Sequence, residues 1–322
     1  ATDFNTYAGG CTGDWTLQVT SDLTETVNVY FGNATNGHTV TIRPAPGISP
    51  TVNLNGPSST LGGHLVIGAT ANDFNTLVKT DNFVINGCSD DAWSTRSLTL
   101  ISSATSKPIT RIIQVIGDSD NAVIKNCIIN NRSTSAVDGA NVGVEFLSRF
   151  TSPNNFIPDN GIVENCDITA ATNLGGYGTG IRQINSGTIT AGLAQTGMIF
   201  RNNIINAGLY GIQLSQTAGA DVYNNTIRIT QLTSGRHIRG IYFNFSNNTS
   251  NWTLNIYNNT IDKLQTVNTG AAGIDMAAVI VTTAQTPVTY NVYNNMICGF
   301  NFTTAVNVAN VYYYGIYCDR DR

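Results

Sequence analysis

The sequence predicts an all-β fold, a solenoid of short parallel strands. Three observations predict it: a strand motif ending in Asn that recurs seven times, a Gly-led strand motif alternating with it, and a composition that leaves no solvent face for long helices. The composition is the simplest of the three. Lys occurs four times and Glu three times in 322 residues, against 40 Asn and 42 Thr. Asn, Thr, Gly and β-branched residues suit strands joined by tight turns. Charged residues make up 11% of the chain and no Lys/Arg cluster occurs, so nucleic acid is not an expected partner. No apolar stretch approaches the roughly 18 residues of a membrane span, so no membrane insertion is expected.

The first motif runs from Val84-Ile85-Asn86-Gly87-Cys88 through Val123-Ile124-Lys125-Asn126-Cys127 and Ile162-Val163-Glu164-Asn165-Cys166. It continues through Ile199-Phe200-Arg201-Asn202-Asn203, Val222-Tyr223-Asn224-Asn225 and Ile256-Tyr257-Asn258-Asn259 to Val292-Tyr293-Asn294-Asn295. The second motif reads Gly143-Val144-Glu145-Phe146, Gly180-Ile181-Arg182, Gly211-Ile212-Gln213, Gly240-Ile241-Tyr242, Gly273-Ile274-Asp275 and Gly315-Ile316-Tyr317. Leu65-Val66-Ile67 and Ile112-Ile113-Gln114-Val115 are looser copies. One strand with one apolar face cannot bury it alone; stacking the units buries every face in one core. The expected organisation is a single domain over 1–322, with first coils in 1–60 and repeat coils in 61–322.

Asn tolerates left-handed backbone and bonds nearby backbone. A structural amide ladder is therefore expected along Asn126, Asn165, Asn202, Asn225, Asn259 and Asn295. Cys88, Cys127 and Cys166 follow the Asn position and are expected in one buried column. Strand alternation also yields two outward columns. One is aromatic: Phe200, Tyr223, Tyr257 and Tyr293. The other is the candidate binding face: Glu145, Arg182, Gln213, Tyr242, Asp275 and Tyr317. On an exposed face, Glu145 and Arg182 would form an ion pair worth well under about 1 kcal/mol.

The Asn-Asn-x-Ile turn and the alternating Gly-Ile strand resemble the right-handed parallel β-helix of the pectin-lyase-like superfamily, from about residue 60 onward. The opening strands, Trp15 to Val19 and Thr39 to Pro44, resemble the first coils of secreted members. Composition and this opening bring the chain nearest to bacterial surface proteins exported by type IX secretion systems. The resemblance implies loops on one side, as at 131–141, 150–160 and 170–179, and an extracellular or cell-surface location. The start, Ala1-Thr2-Asp3-Phe4, has neither an initiator Met nor the regions of a signal peptide, as expected of a mature or trimmed chain.

Enzymes of that superfamily cleave polysaccharides with paired acids or with calcium. Here the Gly-His-Gly motif of the hydrolases is absent. Asp90-Asp91 and Asp118-x-Asp120 read as turn chemistry, although the second can hold calcium; no other cofactor and no metal ligand set is expected. Arg236-His237-x-Arg239 is the local basic cluster. No catalytic residue is assigned, and the expectation leans against an enzyme. The leading reading is a structural or adhesive surface protein, with a polysaccharide lyase or hydrolase and a phage tailspike-like glycan binder as alternatives. Gly315-Ile316-Tyr317-Cys318 stands mid-unit, so that end is expected either to meet further coils past Arg322 or to stack head to tail on another copy.

Overall fold

The computed structural model describes residues 5, 10–57, 61–90, 95–102, 110–133, 141–151, 154–170, 177–186, 195–215, 217–231, 237–245, 252–268, 274–283, 288–304 and 311–320. Every named element among them is a β-strand. The strands form three sheets. Sheet A runs from Trp15–Val19 to Val288–Tyr293, sheet B from Leu23–Glu25 to Met296–Ile297, and sheet C from Val29–Phe31 to Val311–Arg320. The chain visits A, B and C in turn, and each strand pairs in parallel with its counterparts one coil before and after. Among the described residues nine such coils make a parallel β-helix.

The period-2 pattern of each strand sends alternate residues into the lumen. One inward column per sheet shows how the repeats achieve this. In sheet A it reads Leu17, Ile42, Ile85, Ile124, Val163, Phe200, Val222, Ile256 and Val292. In sheet B it starts at Leu23 and Val52 and ends at Ile261 and Ile297. In sheet C it starts at Val29 and Leu65 and ends at Val279 and Ile316. The middle members are fully buried and belong to one continuous core.

The glycines of the second motif make the lumen narrow enough to close. Gly143, Gly180, Gly211 and Gly240 stack on one another. A Cβ on Gly211 would collide with Ile227 Cγ2, which lies across the lumen on sheet B, and with the Gly240 carbonyl oxygen. Gly211→Val is therefore expected to cost about 1–3 kcal/mol by overpacking. Gly315→Ala has open space around its new methyl and should stay within about 0.5 kcal/mol. Urea unfolding of the two variants checks the contrast; equal midpoints would contradict it.

From the fourth coil onward the corner between sheets A and B takes only one or two residues, as at Asn126 or Asn202-Asn203. The longer connections border sheet C, which puts the variable loops on one side. Parts of those expected at 131–141, 150–160 and 170–179 lie outside the described residues, namely 134–140, 152–153 and 171–176. Within the second, Asn154–Phe156 forms a strand that turns back antiparallel onto Asn141–Thr151.

Candidate binding surface

The corner between sheets A and B holds the expected ladder, but as two columns. Asn126, Asn165, Asn202, Asn224, Asn258 and Asn294 all have φ between 51° and 58°, so they share the left-handed turn position. Asn225, Asn259 and Asn295 are one residue further on, in line with Asn203 and with Cys127 and Cys166. The inner ladder is therefore Asn203, Asn225 and Asn259, which are buried, followed by the half-buried Asn295. The amide oxygens of Asn225, Asn259 and Asn295 each accept from the backbone N–H and side-chain amide of the Asn one coil before, at 2.9–3.1 Å, and that of Asn203 accepts from the Cys166 N–H at 3.0 Å. A shorter ladder runs the other way: Asn126 donates to Asn86 and Asn165 donates to Asn126, at 2.8 and 2.7 Å. Arg96 closes it, donating to the Asn165 side-chain and backbone oxygens at 2.9 and 2.7 Å. Cys88 is not in the sulfur column. The third coil carries an insertion after Gly87, and Leu98 takes the place opposite Cys127. All six cysteines are free thiols. The contact with Cys166, followed by burial, raises the Cys127 thiol well above its ordinary pKa.

The same one-residue offset corrects the aromatic column. Phe200 aligns with Val222 and is fully buried in the lumen, where an outward ring was expected. Arg201 takes the outward place, donating to Glu164 at 2.7 Å and to the Tyr223 hydroxyl at 2.9 Å. Beyond it Tyr223, Tyr257 and Tyr293 form a pile, with centroids 4.8 and 5.1 Å apart and rings within 6° of parallel. Each ring covers its neighbour's face, so the pile offers a sugar mainly edges and hydroxyls. Stacking of this kind favours coil-to-coil cohesion by about 0.5–1.5 kcal/mol per pair.

Sheet C carries the second predicted face, and the structure divides it. The column reads Val66, Gln114, Glu145, Arg182, Gln213, Tyr242, Ile280 and Tyr317. Asp275 is not a member, because Ala278-Val279-Ile280 is the true copy of the motif; Asp275 sits opposite Tyr312. Glu145 is fully buried and Arg182 is 7% exposed, where a solvated face was expected. A second apolar cluster covers this part: Leu61, Val66, Ala69, Leu77, Ile116 and Leu147, with Phe74 and Phe156 against it. Here the Glu145 carboxylate pairs with the Arg111 guanidinium at 2.6 Å and accepts hydrogen bonds from Gln114 at 2.6 Å and Arg182 at 2.7 Å. Gln114 and Arg111 also donate to the Leu61 carbonyl oxygen at 2.8 and 3.0 Å, tying the cover to the charge cluster. Burial pushes the Glu145 carboxyl up, but the two guanidinium groups outweigh it and hold it below the usual carboxylate range.

From Gln213 onward the column is half-exposed at Gln213, Tyr242 and Tyr317, while Ile280, between the last two, is buried. Tyr210 and Tyr242 lie with centroids 5.3 Å apart, and the Arg239 guanidinium sits 3.9 Å over the Tyr242 ring. His237 Nδ1 lies 3.1 Å from an Asp275 carboxylate oxygen. Tyr314 and Tyr317 pack at 4.6 Å, and Tyr312 is 47% exposed. Tyr210, Tyr242, Arg239, His237 and Asp275 thus gather aromatic, cationic and acid groups over three coils, and the buried Ala277 and Ile280 separate Arg239 and Tyr242 from Tyr314 and Tyr317. Of the predicted face, Gln213, Tyr242 and Tyr317 belong here. Tyr210, Arg239 and Tyr314 were missed; they share one register line, with the buried Ala277 between the last two, three residues before Gln213, Tyr242 and Tyr317.

The remaining acidic candidates are already engaged. The Lys79 ammonium lies 3.5, 3.3 and 3.5 Å from Asp81, Asp118 and Asp120, the place a bound cation would take. The Cys88 thiol donates to Asp90 at 2.9 Å. Asp91 and Arg236 lie outside the described residues.

The molecule defined by these sheets is a parallel β-helix. No family model matches the chain, and no curated protein matches it. Among solved structures it is similar to one described as that of the Streptococcus pneumoniae surface protein and adhesin PfbA. That match has 10% identity and a TM-score of 0.43, over 96% of this chain and 92% of that one.

Proposed function

We propose that this β-helix is an extracellular surface protein with an adhesive role, binding polysaccharide through the open half of sheet C. The observation that carries the reading is the Tyr210, Tyr242 and Arg239 cluster beside His237 and Asp275. Aromatic bodies with polar tips, a guanidinium and a carboxylate are the groups that recognise hydroxyl-rich or acidic sugars. The rest of the fold is rigid support for that face. Kinship with pectin-lyase-like proteins and with type IX-exported surface proteins is part of this proposal, and it rests on the Asn-turn and Gly-Ile motifs.

A panel of immobilised polysaccharides, acidic and neutral, tests it. Tyr242→Ala with Arg239→Ala is expected to weaken the strongest interaction about ten-fold or more, equal to about 1.4 kcal/mol. Tyr257→Ala, on the self-covered pile, should leave it unchanged. Equal binding by all variants would reject this face. The second reading, a polysaccharide lyase or hydrolase, is favoured by the His237–Asp275 pair, an acid–base couple on the same face. Incubation with polygalacturonate or alginate and calcium is expected to release neither unsaturated products nor reducing ends. Release abolished by Asp275→Asn would replace the adhesive reading with the enzymatic one.

A further inference from the structure

One ring nitrogen on the binding face has two claimants. His237 stands just ahead of the strand Ile238–Phe245, and in the register of that strand with the next coil it lies opposite Asp275. The Asp275 backbone N–H donates to His237 Nδ1 at 3.1 Å, and an Asp275 carboxylate oxygen lies 3.1 Å from the same atom. The two contacts need opposite forms of that nitrogen. To accept the N–H, Nδ1 must carry no proton, so the neutral ring keeps its proton on Nε2. To bond the carboxylate, Nδ1 must carry one, and a proton added to the accepting ring makes it the cation. The two side chains are 48% and 30% exposed, so that proton comes from solvent without any opening of the fold.

We propose that His237 is a proton-operated switch that sets how strongly this face holds an anionic polymer. In the neutral form the Asp275 N–H occupies Nδ1, and the Asp275 carboxylate meets a lone pair. Its charge stays open to solvent and repels an anion that approaches Arg239. In the protonated form Nδ1–H donates to the carboxylate, and the Asp275 N–H gives up its acceptor. Imidazolium and carboxylate then cancel, and the Arg239 guanidinium over Tyr242 is left as the surplus charge of the cluster. Among the described residues the other charged or titratable groups facing His237 are few. Its own strand brings Arg239, the coil before brings Tyr210, and the coil after brings Asp275, with Tyr312 beyond it. Of these side-chain types, imidazole is the one that ordinarily changes charge between pH 5 and 8. The switch is bistable because one atom serves two bonds that exclude each other, and both bonds join the same two coils.

The switch rests on the reading that this face binds polysaccharide, and its test has one arm that does not. In the first, the free 15N-labelled chain is titrated from pH 8 to pH 5 by NMR. The His237 ring is expected to pass from the Nε2–H tautomer to the imidazolium, and the Asp275 amide proton to move upfield on the same curve as its acceptor is lost. An Asp275 amide that stays still while the ring titrates overturns the proposal. The second arm measures affinity for dextran sulfate, which stays charged over this range, beside uncharged dextran. Dextran sulfate is expected to bind about three-fold tighter at pH 5.5 than at pH 8, the scale of an exposed ion pair, and dextran to show no such change. His237→Gln should lose this pH dependence. His38→Gln, which alters the histidine 3.7 Å from Asp14 on the opening coils, should keep it. A pH dependence that survives in His237→Gln overturns the proposal. If neither polymer binds while the Asp275 amide still follows the ring, the switch stands and the failure lies with the binding reading of the face.

Discussion

Glu145→Ala is expected to be the most destabilising single change in the chain, at about 3–5 kcal/mol. The carboxylate is fully buried, and the side chains of Arg111 and Arg182 are only 13% and 9% exposed. Removing it leaves two guanidinium groups facing each other under an apolar cover, without the charge that offsets their desolvation. It also frees Gln114, whose second bond anchors Leu61. The loss should thus spread to the loop cover, and the urea m-value should fall with the midpoint. The pH dependence follows from the sign of the shift. The folded Glu145 pKa lies below its unfolded value of about 4.3, so the stabilisation is complete above that value. It is lost as pH falls through the lower folded pKa, and the gap between the original chain and Glu145→Ala should narrow below about pH 4. Asp81 and Asp159 run the other way: burial raises both, so acid relieves them. A difference under about 1 kcal/mol at pH 7 would mean that the cluster is solvated in solution.

That cluster also marks what the sequence could and could not reveal. Repeats in register made the sheets, the inward columns and the Gly-Ile stack legible, because each obeys a period that the chain prints many times. The errors come from single-residue phase and from aperiodic loops. Asn126-Cys127 and Asn202-Asn203 are the same corner, but an Asn-Asn doublet does not say which Asn takes the left-handed position. Phasing the doublets on Cys127 and Cys166 would have placed Asn203 in the ladder and Phe200 in the lumen. Asp275 was misplaced because Gly273 looked like the motif glycine, whereas the lumen accepts the methyl of Ala278 at that level. The burial of Glu145 was not legible at all. It goes with partners that no repeat announces, such as the Leu61 carbonyl, which Gln114 and Arg111 bond from a segment without periodicity. For the same reason the open half was found only in part, since openness is set by where that cover stops.

The two Asn columns do different work, and a paired substitution separates them. Asn225 donates its side-chain amide to the Phe200 and Tyr223 carbonyls and to Asn259, at 2.9–3.1 Å. Its oxygen accepts the Asn203 backbone N–H at 3.1 Å and the Asn203 amide at 3.0 Å. Leucine is close to it in size but can do none of this. Asn225→Leu strands the Asn203 N–H inside the corner and interrupts the ladder, at about 1–3 kcal/mol for each buried group left unpaired. Asn202 faces outward from the same corner, and its contribution is conformational. At φ 58° a leucine there meets the ordinary cost of left-handed backbone, about 1–2 kcal/mol, with no buried group abandoned. Asn202→Gly should recover that loss, because glycine adopts positive φ freely, while Asn225→Gly should recover nothing. Thermal melts of the four variants decide the matter. The expected order of stability is Asn202→Gly, then Asn202→Leu, with both Asn225 variants below them; equal shifts at the two positions would show that a single shared ladder, and not two columns, holds the corner.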